Sequence, residues 1–267
     1  MSDFLIIHTL EFWQIGVIIL TGFFASFIGN AAGSDGFIYM IGLNYINIPI
    51  IKSIGSMKWF SFINAFYSIL EYKKRKSFAA YKFLKFLLPF GLPIWIMASC
   101  IGAFLAQYLS DKILYYILPC LTLIMAIYKT IFLNPNAFCK RRISNNAFFY
   151  GILTIMFFYI GFFGPGGATF IIFLASLLIG MPLKEGSIIA RHVSFTANIA
   201  SVIIFTYQGK FYIDIILITT ISGIFGTMLS TKFIYKYGSN FINIALILIL
   251  YFVSIVYFHK IFFKIHC

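Results

Sequence analysis

The sequence predicts an all-α polytopic membrane protein, with eight to ten hydrophobic helical segments arranged as two repeated halves. Three observations predict it. Of 267 residues, 61% are apolar and 10% charged, where a soluble domain has about 45–50% and about 25%. The apolar residues gather into long runs divided by short polar punctuation. Two of the runs, one in each half, end in matching clusters of small residues.

The segments fall at 10–30, 35–47, 50–71, 82–108, 112–133, 147–163, 167–180, 185–207, 211–231 and 240–260. A helical span needs about 20 residues at 1.5 Å rise. Eight segments come near that length; the second and seventh hold about a dozen residues, a length suited to half-helices or re-entrant pieces. No stretch alternates with the period of a barrel strand. The start, MSDFLIIHTLEFWQ, lacks the basic region of a cleaved signal peptide, so the first segment reads as a retained span.

Charge orients the chain. The formal net charge is +13. In this context the excess marks cytoplasmic loops and contact with anionic lipid rather than nucleic acid. One basic loop holds Lys73, Lys74, Arg75, Lys76, Lys82 and Lys85, and another Lys140, Arg141 and Arg142. Both are expected on the cytoplasmic side. If the short segments span, there are ten crossings and both termini lie outside; if they re-enter, there are eight and both lie inside. The halves are divided as a first membrane repeat (1–133), a basic cytoplasmic connector (134–146) and a second repeat (147–267).

The repeat rests on the breaks. GFFASFIGNAAGSDG runs from Gly22 to Gly36, and FYIGFFGPGGATF from Phe158 to Phe170. Each is followed by a short apolar piece, a proline (Pro49 or Pro182) and a long helix. Lys58 follows Gly29 by 29 residues and Arg191 follows Gly164 by 27. Three residues beyond each base lies a serine, Ser61 or Ser194, and then an asparagine, Asn64 or Asn198. Matched broken helices are a feature of secondary transporters. Five segments per half would make the repeats inverted, four would make them parallel.

These residues bear on chemistry. Pro165 lacks an N–H and, with Gly164, Gly166 and Gly167, stops the helix. The freed N–H groups need a partner, and the next helix brings a partly positive N-terminus that suits a small anion. A charge near the membrane centre costs about 2.5–3.5 kcal/mol on insertion scales, so Lys58 and Arg191 should face a cavity, a counter-charge or a ligand unless they snorkel to the headgroups. Arg191, Ser194 and Asn198 share one helix face. Asp35, in the first break with Gly33 and Gly36, reads as a counter-ion for Lys58, a proton carrier or a helix cap. His192 points away from Arg191 and reads as a packed core residue. The cysteines Cys100, Cys120, Cys139 and Cys267 form no C-x-x-C pair, so neither a disulfide frame nor a metal or cofactor is expected.

The stretch GFFGPGGATF, followed by GMPLKEGSIIARHVSFTANIASVIIFTYQGKFY, resembles the second repeat of the TauE/SafE sulfite exporter family, with the closest likeness to its YfcA-like branch. Gly29 to Lys58 resembles the first repeat. The likeness spans residues 10–260. It implies a duplicated unit of four to five segments and transport of small sulfur-containing anions or organic acids across a bacterial inner membrane. Members of that branch often carry an Asp just before each break, where this chain has Gly29 and Ile160. The expected function is therefore alternating-access transport of a small anion between the halves. Amides near Gly33–Gly36 and Gly164–Ala168 would meet its oxygens, Lys58 and Arg191 its charge, and Ser61, Ser194 and Asn198 would add hydrogen bonds. The partners expected are that anion and membrane lipid. Two rivals remain: a membrane scaffold or assembly factor without flux, docking through the basic loops, and an intramembrane enzyme, for which His192 is the one deep histidine and no nucleophile motif surrounds it.

Overall fold

The structure is a computed structural model that describes residues 5–6, 10–74, 78–106, 108, 120, 123, 127, 130 and 146–264. Among these there is no strand. The helices are α1 (Phe12–Ala32), α2 (Asp35–Tyr45), α3 (Ile50–Lys74), α4 (Phe78–Ala106), α5 (Asn146–Phe162), α6 (Gly167–Ile179), α7 (Leu183–Tyr207) and α8 (Ile213–Lys264). Three stretches are long and apolar enough to cross a membrane by themselves: Phe12–Ala32, Leu183–Tyr207 and Ile213–Gly238. Apart from Cys120, Leu123, Ile127 and Thr130, the expected fifth segment lies outside the described residues. So do the connector up to Asn145 and its basic cluster.

Local chemistry sets the boundaries. α1 stops where Gly33 takes φ 74° and its N–H bonds the Gly29 carbonyl, a left-handed cap that glycine adopts without strain. α6 ends on Gly180 at φ 74°, with Gly180 N–H to Ser176 O and Met181 N–H to Ala175 O; the first is the 5→1 bond of a left-handed glycine cap. Pro182 then opens α7. The ninth and tenth expected segments are two arms of α8, broken at Gly238 (φ 62°, ψ −144°). Ile244, Leu248 and Phe252 line one groove with Val17, Leu20 and Phe24, so the chain doubles back there along α1.

The short segments are half-helices. α2 and α6, with 11 and 13 residues, reach only ~16–20 Å at 1.5 Å per residue. α1 and the first arm of α8 run parallel: Gly22 abuts Thr219, Ser26 abuts Gly223, and Asn30 Nδ2 donates to Thr231 Oγ1 at 3.0 Å. α2 turns back along α1, placing Gly42 on Thr21 and Tyr45 edge-on to Trp13. α1 and α2 thus form a hairpin that enters and leaves on one face. α5 and α6 form another, with Tyr159 against Phe170. α3 and α7 are antiparallel: Trp59 donates to Thr206 at 2.9 Å while Phe62 stacks on Phe195 with centroids 5.0 Å apart. The two hairpins therefore enter from opposite faces.

The short helices are too short to span alone, and each is the return arm of a hairpin. Phe12 lies on the face opposite Lys73 and Lys74, because α2 brings the chain back beside α1 before α3 begins. The hairpin tips lie inside the protein, where the other half shields their free backbone groups.

Small residues let the long helices cross closely. Gly226 of α8 lies on the Phe23 carbonyl and Phe27 amide of α1; Gly102 of α4 lies in the same way on Phe158 and Phe162 of α5. Close backbone approach through small residues is the common mode of helix packing in lipid. α1 thus packs on α8 from the far half, and α5 on α4, with α3 against α7 between them.

Candidate functional site

The tips of the two hairpins meet inside the bundle. A Cβ on Gly33 would strike the backbone of Ala168 and Thr169, one on Gly36 would lie 2.7 Å from the Pro165 Cα, and one on Gly166 would strike the Phe37 ring. The N-termini of α2 and α6 therefore converge. Their first amides have no carbonyl within their own helices, and each N-terminus carries a partial positive charge. Among the described residues no backbone bond claims the amides of Asp35, Gly36, Ala168 or Thr169.

The carbonyl ends of the broken helices are capped across the halves. Arg191 of α7 donates to the Gly29 carbonyl, Ser187 to Ala31 O at 3.0 Å and Thr169 to Ala32 O at 2.8 Å. Tyr72 of α3 reaches Asn30 O at 3.4 Å. All four carbonyls in the last turn of α1 are thereby satisfied, three of them by the second half. In the reverse direction, Lys58 of α3 donates to the Ile160 carbonyl of α5. Gly29 and Ile160 each stand just before one of the two breaks. Here each offers its carbonyl to a base from the opposite half.

One carboxylate sits among these bases. Arg191 Nη1 lies 3.2 Å from Asp35 Oδ2, and Ser61 Oγ donates to the same oxygen at 3.3 Å. Lys58 is 0%, Arg191 2% and Asp35 8% exposed, so neither base snorkels to the surface. Of the roles open to Asp35, the direct ion pair goes to Arg191, whose position on α7 faces the first break, while Lys58 stands near enough for its charge to interact with Asp35. Asp35 is also not the cap of α2, since Ser34 holds that position and makes no side-chain cap bond.

The remaining expected residues divide. Gly164 has φ 98°, and a Cβ there would stand 2.7 Å from Lys58 Nζ. Pro165 abuts Gly36 and accepts Tyr159 Oη–H at 2.7 Å. Gly166 caps α6 at φ 76° and Gly167 is its first residue. Ser194 and Asn198 are buried on α7 at 6% and 3% exposure, without a hydrogen bond to the cluster. His192 bonds Ile188 O through Nδ1 at 2.9 Å, consistent with a packed role. Sequence reasoning missed Thr169, Ser187, Tyr72 and the two carbonyl acceptors. Polar residues inside apolar helices were the available signal for the first three. Nothing in a sequence marks a carbonyl that another half will cap. Among the described residues no three His, Cys, Asp or Glu side chains gather as a metal site.

Hydrophobic helices too long for a soluble core, and half-helices broken by glycine deep inside the bundle, define a multi-pass helical membrane protein of the transporter class. The chain belongs to the sulfite exporter TauE/SafE family, whose profile matches residues 18–257. It is similar to a protein of Haemophilus influenzae named "Probable membrane transporter protein", 27% identical over 232 residues, or 86% of this chain and 88% of the relative. It is 24% identical over 243 residues to "Probable membrane transporter protein ORF9" of Sinorhizobium sp, covering 90% of each. The Escherichia coli protein named "Probable membrane transporter protein YfcA" is 22% identical over 240 residues, 88% of this chain and 86% of its own length. No solved structure matches the chain.

Proposed function

We propose that this protein is a secondary transporter of small anions, such as sulfite, a sulfonate or a related organic acid, working by alternating access between two inverted halves. One observation carries the reading. Two helix N-termini and two buried bases, Lys58 and Arg191, converge about a single carboxylate, Asp35, which pairs with Arg191. The centre holds an excess of positive charge, so it favours an anion. The guanidinium of Arg191 presents a planar fork suited to a carboxylate, sulfonate or sulfite group, and Ser61 supplies a further donor.

The hairpins support alternating access. They enter from opposite faces, and every cap described above except Tyr72 on Asn30 crosses between halves. A rocking of one half on the other must break and remake those caps, so access at one face is tied to closure at the other. The basic end of α3 marks the cytoplasmic face by the charge rule. The division into two repeats joined at 134–146 belongs to this reading.

Purified protein in liposomes tests it. Vesicles loaded in turn with sulfite, methanesulfonate and acetate should release at least one of them, and the rate should fall in Arg191→Ala and in Ser61→Ala at limiting anion. Release that is unchanged in Arg191→Ala would remove the second half's base from the site. No release of any of the three by folded protein would refute the anion reading.

A further inference from the structure

Asp35 already makes the contacts a transported anion would make. Its Oδ2 takes Arg191 and Ser61, and it stands in the first turn of α2. An incoming anion must displace it. A displaced carboxylate would be left buried and unpaired, which is costly, unless it takes up a proton. The charged and titratable groups near it are few. Arg191 comes from α7, Lys58 from α3, close enough for the charges to interact, and Tyr39 lies one turn on along α2, turned toward Thr219 of α8 at 3.3 Å. On α5 the Tyr159 hydroxyl is bound to Pro165, and His192 of α7 is bound to its own helix.

A polar route leads away from Asp35. Ser61, Asn64, Ser68 and Tyr72 repeat along one face of α3. Tyr72 bonds Asn30 Oδ1 at 3.2 Å, Asn30 bonds Thr231, and Thr231 bonds the Thr227 carbonyl at 2.8 Å. Along this route four buried oxygens lack a partner: Ser26 Oγ, Asn64 Oδ1, Thr227 Oγ1 and Ser230 Oγ. Two of them flank Gly223, where a Cβ would stand 2.6 Å from Ser26 Oγ and 2.9 Å from Asn64 Oδ1. Buried oxygens in a membrane protein call for water.

The matching surface of α4, α5 and α7 has no such route. Aligning the two close crossings sets Ala103 and Ala106 of α4 opposite Thr227 and Ser230. Aligning Lys58 with Arg191 sets Ala197 and Phe205 of α7 opposite Asn64 and Tyr72. The Ser99 hydroxyl there is satisfied by Ala197 O at 2.6 Å. Among the described residues, none of the unpartnered buried oxygens lies on α4, α5, α6 or α7.

We propose that Asp35 is the proton-coupling group of this transporter, reached from the basic face through a hydrated stripe between α1, α3 and α8 that has no counterpart between α5, α7 and α4. The inference rests on the anion reading. In each cycle the anion takes Asp35's place on Arg191 and Ser61 while a proton adds to the Asp35 carboxylate; anion and proton are taken up at one face and leave together at the other, the proton passing along the stripe on the basic side, and Asp35 then returns to Arg191 and Ser61. No bond other than this O–H forms or breaks.

The test uses full-length protein in liposomes, with methanesulfonate and sulfite in parallel. Methanesulfonate is chosen because it carries no proton of its own near neutral pH. Accumulation driven by a pH gradient, anion counterflow at equal pH, and proton entry read by a trapped dye are measured together. Wild type should accumulate anion with proton entry. Asp35→Asn should lose both while counterflow persists. Thr227→Val, remote from the bases, should slow accumulation several-fold and leave counterflow unchanged; it serves if Asp35→Asn does not fold. Wild type that carries anion without response to the gradient overturns the coupling and leaves the anion reading standing. So does accumulation that survives Asp35→Asn, or survives Thr227→Val and Asn64→Leu together. Wild type that carries neither anion overturns the anion reading and the coupling with it.

Discussion

Gly164 shows most directly how one residue serves the meeting of the halves. Its φ of 98° lies where a side chain strains the backbone by about 1–3 kcal/mol. The Cβ would also press on Lys58 Nζ, the group that caps Ile160. Gly164→Ala should therefore lower the thermal midpoint of the purified protein. Gly16→Ala is the matched control: it lies within α1 with nothing within 4 Å of a new Cβ. It should leave the midpoint unchanged or raise it, because alanine is favoured over glycine in helices by about 1 kcal/mol. Equal midpoints for the two variants would show that the tip tolerates a side chain. At the same scale, Arg191→Lys keeps the charge but loses the fork that reaches Asp35 and Gly29 together. A loss of anion release comparable to that of Arg191→Ala is expected, since a point charge does not replace two directed donors.

At the scale of elements, the two close crossings do equivalent work. α1 lies on α8 through Gly226, and α5 lies on α4 through Gly102, each glycine against a backbone carbonyl and amide of the partner. A large side chain at either place must force the helices apart. Gly226→Leu and Gly102→Leu should each destabilise the protein by about 1–3 kcal/mol, the usual range for overpacking, measured as loss of folded protein on heating in detergent. If the halves are repeats of one unit, the losses should be similar. A large loss for one and none for the other would separate the crossings. α2 and α6 behave differently from the long helices. Neither spans, and each is held by what its tip touches in the other half. Their identity as half-helices was legible from length and from the glycines before them. Their role as return arms was not, because antiparallel packing against α1 and α5 leaves no mark in composition.

At the scale of the molecule, the hairpins fix which ends share a face. α3 runs from the face of Phe12 and Lys210 toward Lys73 and Lys74, and the charge rule predicts that the second face is cytoplasmic. On a background with the four native cysteines replaced by serine, Lys74→Cys should react with an impermeant thiol reagent in inside-out vesicles alone. Tyr207→Cys, 94% exposed at the end of α7, should react in right-side-out vesicles. Labelling of both from the same face would refute the hairpin topology.

The solvent, the helices and the places where they break could all be read from the order of residues. Apolar runs can be satisfied only by lipid and by one another, and Gly33, Pro165 and Gly180 impose local backbone rules whatever surrounds them. It also marked Lys58, Arg191 and Asp35, because charge inside an apolar run must answer to something. Only the tertiary structure decided what each answers to. Arg191 crosses to Gly29 and Asp35 of the first half, and Lys58 crosses to Ile160 of the second. Those pairings depend on two hairpins entering from opposite faces, and on Asn64 of α3 and Thr227 of α8 standing where α7 and α4 have Ala197 and Ala103. Such contacts join residues more than a hundred positions apart, and the free energy that selects them resides in the packing of whole helices rather than in any local run of residues.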